Sequence, residues 1–281
     1  MLKTMDLPCG RELDFLHIPL VMAIVNCTED SFYPESHNAS AEEACERALR
    51  AEKDGAAIID FGAESTRPGA NYISEEEEIK RLIPALKLFR KNSNLPVSID
   101  TRKYKVARYA LDAGADIIND ISALEDAPEI GSLCAEYGAG IVLMHKKGVP
   151  GNMQDKPSYR NVIQEITHYL TQAAKKAEAD GIPPHRIILD PGIGFGKRQE
   201  DNLDLIAHFD SFVELGYPSL IALSRKSVIG EIIGRPVKER LAGTLSAEGY
   251  ALCKGAHIIR AHDIPETVDF AKIFYALKNR E

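Results

Sequence analysis

A short pattern, glycine and alanine leading into a β-branched run, recurs four times along the chain. It reads Gly55-Ala56-Ala57-Ile58-Ile59-Asp60, Gly114-Ala115-Asp116-Ile117-Ile118-Asn119, Gly138-Ala139-Gly140-Ile141-Val142-Leu143 and Gly255-Ala256-His257-Ile258-Ile259-Arg260. Each copy comes after a helix-like stretch. The glycine closes that helix in the left-handed conformation, and the apolar run then starts a buried strand. Helix, glycine stop and strand, repeated, is the sequence form of stacked βα units. On this template eight apolar runs appear, at 20–25, 56–61, 97–99, 116–118, 140–144, 187–189, 219–223 and 257–259. Two of the intervening helices open with a capping-box pattern, Ser40 with Glu43 and Ser74 with Glu77, and residues 159–179 form the longest helical candidate. The expectation is an α/β fold, a (β/α)8 TIM barrel in a single domain over 1–281, with 1–19 as a lead-in that covers the bottom of a barrel at 20–279. A doubly wound open sheet is the structural competitor.

The residues at the ends of the apolar runs carry the chemistry. The runs end in turn at Asn26, Asp60, Asp100, Asn119-Asp120, His145, Asp190, Ser224-Arg225-Lys226-Ser227, and Arg260 with His262. Polar residues also mark any strand leaving a core, so one such position says little. A polar residue at every run, mixing carboxylates, amides and cations, is better explained by one pocket at the barrel mouth. Asp100 and Asp190 are acceptors suited to a flat heterocycle presenting N–H groups, and Asn119 both donates and accepts. Arg67, Lys226 and Arg260, with His262, suit an anion such as phosphate or pyrophosphate. Two long loops, 26–36 and 62–70, are rich in hydrogen-bonding side chains and read as lids.

Composition closes off other classes. The 281 residues carry a formal charge of −8, which argues against non-specific binding to nucleic acid or to an anionic membrane surface. No apolar run is long enough for a membrane helix, and residues 1–10 are too polar for the apolar core of a signal peptide. Five scattered cysteines with no CxxC pair suggest reduced thiols and a cytoplasmic protein. The turn from Pro191 to Arg198 looks phosphate-binding but lacks the first Gly and final Ser/Thr of a P-loop, and Lys197 stands where a dinucleotide fingerprint needs its last Gly. It reads more simply as a tight turn whose Phe195 shapes the mouth. No Asp, His and Ser order supports acyl chemistry, and His168, His185 and His208 read as surface residues.

Taken in order, these residues resemble the dihydropteroate synthases of folate biosynthesis from about residue 21 to 263. The resemblance lies in Asn26-Cys27-Thr28-Glu29-Asp30-Ser31-Phe32, Glu64-Ser65-Thr66-Arg67-Pro68-Gly69, Ser98-Ile99-Asp100-Thr101 and Asn119-Asp120-Ile121. It continues through Met144-His145, the segment from Asp190 to Lys197, Ser224-Arg225-Lys226-Ser227 and Arg260-Ala261-His262-Asp263. It implies joining 4-aminobenzoate to 6-hydroxymethyl-7,8-dihydropterin diphosphate with release of pyrophosphate, in a (β/α)8 homodimer that is a sulfonamide target. By carry-over, Asp100, Asn119, Ile121, Asp190 and Lys226 hold the pterin ring. Asn26, Arg67, Arg260 and His262 attend the diphosphate, and Asn26 also reaches Mg2+. Phe32, Thr66, Pro68, Phe195 and Ser227 frame the aminobenzoate. Carbon–oxygen cleavage before attack leaves a resonance-stabilised pterin-methyl cation, so the site must stabilise departing pyrophosphate and exclude water. The aromatic amine is neutral at pH 7 and needs no dedicated general base.

The chain departs from the family pattern at Glu29, where a Pro is usual, at Tyr33-Pro34-Glu35-Ser36 in place of a Gly-rich stretch, and at Ala63 and Ala222, where Gly is frequent. The altered first loop is similar to that of some sulfonamide-insensitive relatives. Three competing readings are a pterin-binding methyltransferase, a paralogue that binds pterin without turnover, and an unrelated phosphate-binding barrel enzyme.

Overall fold

The recurring glycines do what their position demands: Gly55, Gly114, Gly138 and Gly255 end helices at φ of +100°, +96°, +65° and +95°, a region in which an L side chain is strained. Each reversal aims the next strand back into the barrel. The computed structural model describes residues 4–27, 41–64, 73–148, 153 and 157–280. It opens with an antiparallel hairpin, β1 (Thr4–Asp6) and β2 (Glu12–Asp14). Eight parallel strands come next: β3 (Leu20–Asn26), β4 (Ile58–Gly62), β5 (Val97–Asp100), β6 (Ile117–Asp120), β7 (Gly140–Met144), β8 (Ile187–Asp190), β9 (Leu220–Ile221) and β10 (Ile258–Ala261). Neighbours pair in chain order, β10 pairs with both β3 and β9, and a bridge between Leu189 and Ser219 links β8 to the β9 side. A ring of strands in chain order is a barrel, not the open doubly wound alternative. The seventh run shortens most, from the expected 219–223 to Leu220–Ile221.

The helices are α1 (Ala41–Lys53), α2 (Glu75–Asn92), α3 (Tyr104–Asp112), α4 (Glu129–Tyr137), α5 (Val162–Ala179), α6 (Gln199–Ala207), α7 (Asp210–Val213), α8 (Ser227–Ile233), α9 (Leu241–Cys253) and α10 (Ile264–Lys278). The helix expected from residue 159 starts at Val162, because Asn161 caps it by accepting from the Gln164 amide at 3.0 Å. At 18 residues it equals α2 rather than exceeding it. The capping box at α2 is half made. Ser74 Oγ accepts from the Glu77 amide at 3.2 Å, but the Glu77 carboxylate turns to Arg81 at 2.7 Å. Ser40 lies outside the described residues. Among the described residues no helix is long and apolar enough to cross a membrane.

Two apolar layers hold the barrel. One lies between strands and helices, with Phe61 and Phe89 packed edge to face at 5.9 Å. The other plugs the N-terminal end: Met5, Leu7 and Leu13 of the hairpin segment meet Met22, Ile58, Ile117, Val142, Ile188, Leu220 and Ile258 from inside the strands. Met5, Leu7 and Leu13 thus pack against the N-terminal ends of the strands. The lead-in is fastened by buried Asp116, which accepts from Arg11 Nε at 2.6 Å, from Arg90 and from the Val97 amide at 2.8 Å.

Candidate active site

Side chains alternate along a strand, so a residue two places beyond an inward apolar one also points inward. Two places beyond Ile58, Ile117, Ile188 and Ile258 of the bottom layer stand Asp60, Asn119, Asp190 and Arg260. The barrel thus changes from a sealed apolar floor to a charged layer within one strand repeat. With Asp100 at the end of β5, that layer forms the C-terminal mouth, where barrels build their sites.

Arg260 is the hub. Its Nε donates to Asp60 Oδ2 at 2.7 Å and its Nη2 to Asp100 Oδ2 at 2.9 Å. Asn119 Nδ2 donates to the same Asp60 oxygen at 3.3 Å, and Asp60 Oδ1 is buried with no partner. Burial pushes the Asp100 carboxyl up to about 7, with nearby Asp60 adding to the effect and Arg260 opposing it. Burial also disfavours the charge of Arg260, but Asp60 and Asp100 more than offset it and hold the guanidinium above its ordinary value. Asp190 Oδ1 accepts from the Gly192 amide at 2.7 Å, and burial raises its pKa against the pull of Lys226.

Lys226 reaches the same mouth from the turn before α8. Its Nζ donates to the Ile193 carbonyl at 2.6 Å and lies 4.9 Å from the centroid of the half-buried Phe195 ring. Burial lowers its pKa to about 8. The turn is strained: Arg225 sits at φ +59°. It is held there by Thr244, whose Oγ1 accepts from the Arg225 amide at 3.1 Å, and by a two-pronged pair with Asp263, one prong at 2.8 Å. Next door, the His262 amide donates to Ser224 Oγ at 3.2 Å, and His262 Nδ1 lies 3.0 Å from the same oxygen. The turns carrying Lys226 and His262 are therefore fastened to each other.

The other expected residues are more scattered. Asn26 ends β3 with its residue exposed and its backbone carbonyl accepting from Arg47 at 2.6 Å. Ile121 is buried just past β6, and Ser227 is exposed at the first turn of α8. Phe32, Thr66, Arg67 and Pro68 lie outside the described residues. Asp60 and Lys197 are the additions. Asp60 was legible as a strand end, and its register with Asn119, Asp190 and Arg260 is the signal that marks it as a site residue. Lys197 gave no such signal; it is 3% exposed, with its Nζ 3.0 Å from His145 Nδ1. Burial first, then Lys197, depress the His145 imidazole to about 2, so it is neutral. Among the described residues no group of three His, Cys, Asp or Glu side chains is placed to hold a metal ion.

Known proteins agree with this geometry. The family model described as pterin binding enzyme matches residues 22–262. A dihydropteroate synthase of Synechocystis sp. is 41% identical over 273 residues, covering 96% of this chain and 94% of the relative. The solved structure of the Xanthomonas albilineans dihydropteroate synthase with 4-aminobenzoic acid superposes with a TM-score of 0.91 at 39% identity, covering 99% of each chain. A second structure from that organism, in complex with 7,8-dihydropteroate, has a TM-score of 0.87 at 36% identity, covering 97% of this chain and 99% of that one. With the family model matched over residues 22–262 and the relatives matched over nearly the whole chain, this protein belongs to the dihydropteroate synthase family of pterin-binding transferases.

Proposed function

We propose that the chain condenses 6-hydroxymethyl-7,8-dihydropterin diphosphate with 4-aminobenzoate to give 7,8-dihydropteroate and pyrophosphate, by loss of pyrophosphate and then amine attack. The observation that carries this reading is the charged layer itself: carboxylates and an amide for a ring rich in N–H groups, beside the guanidinium of Arg260, in one mouth. The relatives bound to 4-aminobenzoic acid and to 7,8-dihydropteroate supply the two ends of the reaction.

In this reading Asp100, Asn119 and Asp190 accept and donate along the pterin edge, Ile121 packs near it, and Lys226 donates to it. Arg260, Arg67 and His262 neutralise the leaving diphosphate. As the carbon–oxygen bond breaks, its electron pair leaves with pyrophosphate. The aminobenzoate nitrogen, framed by Phe32, Thr66, Pro68, Phe195 and Ser227, then places its lone pair on the methylene carbon, and its proton passes to water or pyrophosphate. Catalysis is mostly positioning and electrostatics.

The donor set fits Mg2+. The layer around Arg260 sets three carboxylates, Asp60, Asp100 and Asp190, against two cations, Arg260 and Lys226, so it does not by itself attract a polyanion. The oxygen donor at the exposed mouth is Asn26, and Mg2+ commonly takes few protein ligands and fills its shell with phosphate oxygens and water. Asn26, together with the diphosphate, would hold the ion there, and it would supply positive charge for the leaving group.

Exposed apolar side chains on α8, α9 and α10, namely Ile232, Tyr250, Ile273 and Leu277, support a homodimer, which sedimentation velocity tests directly. Five free cysteines, three of them buried, support a cytoplasmic setting. The reaction itself is tested by pyrophosphate release from purified protein with Mg2+ and the pterin diphosphate, with and without 4-aminobenzoate. Aminobenzoate-dependent release with dihydropteroate formation is expected. Tight pterin binding without turnover would replace the reading with that of a silent pterin binder.

A further inference from the structure

The turn after β8 contains a feature the reaction scheme leaves unused. Lys197 is buried, and its ammonium sits inside the turn rather than facing the mouth. Nζ donates to the Gly192 carbonyl at 2.7 Å and the Phe195 carbonyl at 3.1 Å, and lies 3.0 Å from His145 Nδ1, with the His145 carbonyl at 3.3 Å. An ammonium has three N–H bonds. These partners use all of them, so Lys197 has no donor left for a phosphate. The phosphate-binding look of this segment is therefore accounted for by an internal cation.

The backbone is shaped to receive it. Gly192, Gly194 and Gly196 stand at φ of +69°, +87° and +64°, which curls the chain so that its carbonyls converge. A side chain at Gly192 would come within 1.9 Å of the His145 carbonyl oxygen, and one at Gly196 within 2.1 Å of that of Lys147, so the turn lies hard against the exit of β7. Tyr159 Oη adds a bond to the Gly196 carbonyl at 2.8 Å. Without the ammonium the Phe195 carbonyl would lose its bond to Nζ, and the Gly192 carbonyl would keep only the Phe195 amide. The turn carries the Phe195 ring and the Ile193 carbonyl, and Lys226 contacts both.

We propose that Lys197 is a positioning residue, whose buried ammonium fixes the 192–197 turn and thereby sets the Phe195 wall of the aminobenzoate subsite. This rests on the function proposed above, and the test separates the two. Lys197→Met keeps the length of the side chain and removes its charge. Its KM for 4-aminobenzoate is expected to rise more than tenfold, while calorimetric affinity for the pterin diphosphate alone stays within threefold, because Asp100, Asn119 and Asp190 stand on strands. Phe195→Ala is expected to show a similar loss, and the double variant to be no more than twofold worse than the poorer single one. An unchanged aminobenzoate KM, an equal loss for both substrates, or multiplying effects in the double variant would overturn the proposal.

Should Lys197→Met fail to fold, Tyr159→Phe removes only the bond to Gly196. It is expected to raise the same KM about threefold, and no change would count against the proposal. If wild-type protein does not turn over, the function reading fails and the positioning role is read from amide exchange. Lys197→Met, or Tyr159→Phe in its place, should then speed exchange of the Phe195 amide, which donates to Gly192 at 3.1 Å, while leaving 187–190 unchanged. Unaltered exchange at Phe195 would overturn it.

Discussion

Glu248 is a carboxyl in the wrong solvent. It lies on α9, one turn past Thr244, is fully buried, and neither oxygen has a hydrogen-bond partner. Burial, with a smaller contribution from Asp263, raises its pKa from 4.5 to about 8. The fold therefore favours the neutral form. Stability is whole below about 4.5, where folded and unfolded chains both carry the proton, and is lost progressively as pH rises towards 8. Each pH unit between those values costs about 1.4 kcal/mol, so the burden is ~3 kcal/mol at pH 7 and ~5 kcal/mol above pH 8. Glu248→Gln keeps the shape and removes the ionisation. It should stabilise the protein by ~3 kcal/mol at pH 7, about 6 °C in Tm for a chain of this size. Urea melts of wild type and variant from pH 5 to 8.5 should show a gap that widens from about 1 to ~5 kcal/mol. A gap that stays flat with pH would refute the argument, because it would mean that Glu248 ionises as freely in the folded chain as in the unfolded one.

The mouth and the floor carry further expectations. Lys226→Ala should lower activity more than tenfold with Tm changed by no more than about 2 °C; an unchanged rate would remove Lys226 from the pocket. The kcat/KM for the pterin diphosphate should fall below about pH 7, as Asp100 gains a proton and stops accepting, and above about pH 8, as Lys226 loses its charge. Lys226→Met should keep the acid limb and lose the alkaline one, and a flat profile between pH 6 and 9 would contradict both assignments. Asp116→Asn should destabilise by ~3–5 kcal/mol in urea, because it leaves Arg11 and Arg90 without a charged partner at the barrel floor. A loss under about 1 kcal/mol would mean that the Asp116 pairs add little to the hairpin's attachment.

The barrel was legible because its signal is periodic and local. A left-handed glycine and a β-branched run can be read off six residues, and the same physics acts in each copy. Strand-end chemistry was legible for a related reason: in a barrel, topology alone brings the ends of all strands to one face, so no distance had to be known. Two kinds of information were not. Asn161 competes locally for the amides that begin α5, and that shortened a helix whose periodicity extends further back. Lys197 is invisible to pattern reading because its partners are backbone carbonyls, which any sequence supplies; only the three left-handed glycines around it mark a backbone bent towards something.

Arg260 shows a further limit, and it bears on how the site works. The residue type suggests an anion, yet in the free protein its guanidinium is committed to Asp60 and Asp100. A diphosphate that approaches Arg260 meets a cation already neutralised by two acids, one of which burial has brought to about 7. The two carboxylates hold Arg260 rigidly across the barrel, at the cost of its net attraction for anions. Attraction must then come from charges outside the strand-end layer. Arg67 and His262 lie beyond it in sequence. The barrel layer thus fixes geometry with mutually cancelling charges, and the proposed reaction assigns the attraction of the diphosphate to groups outside that layer.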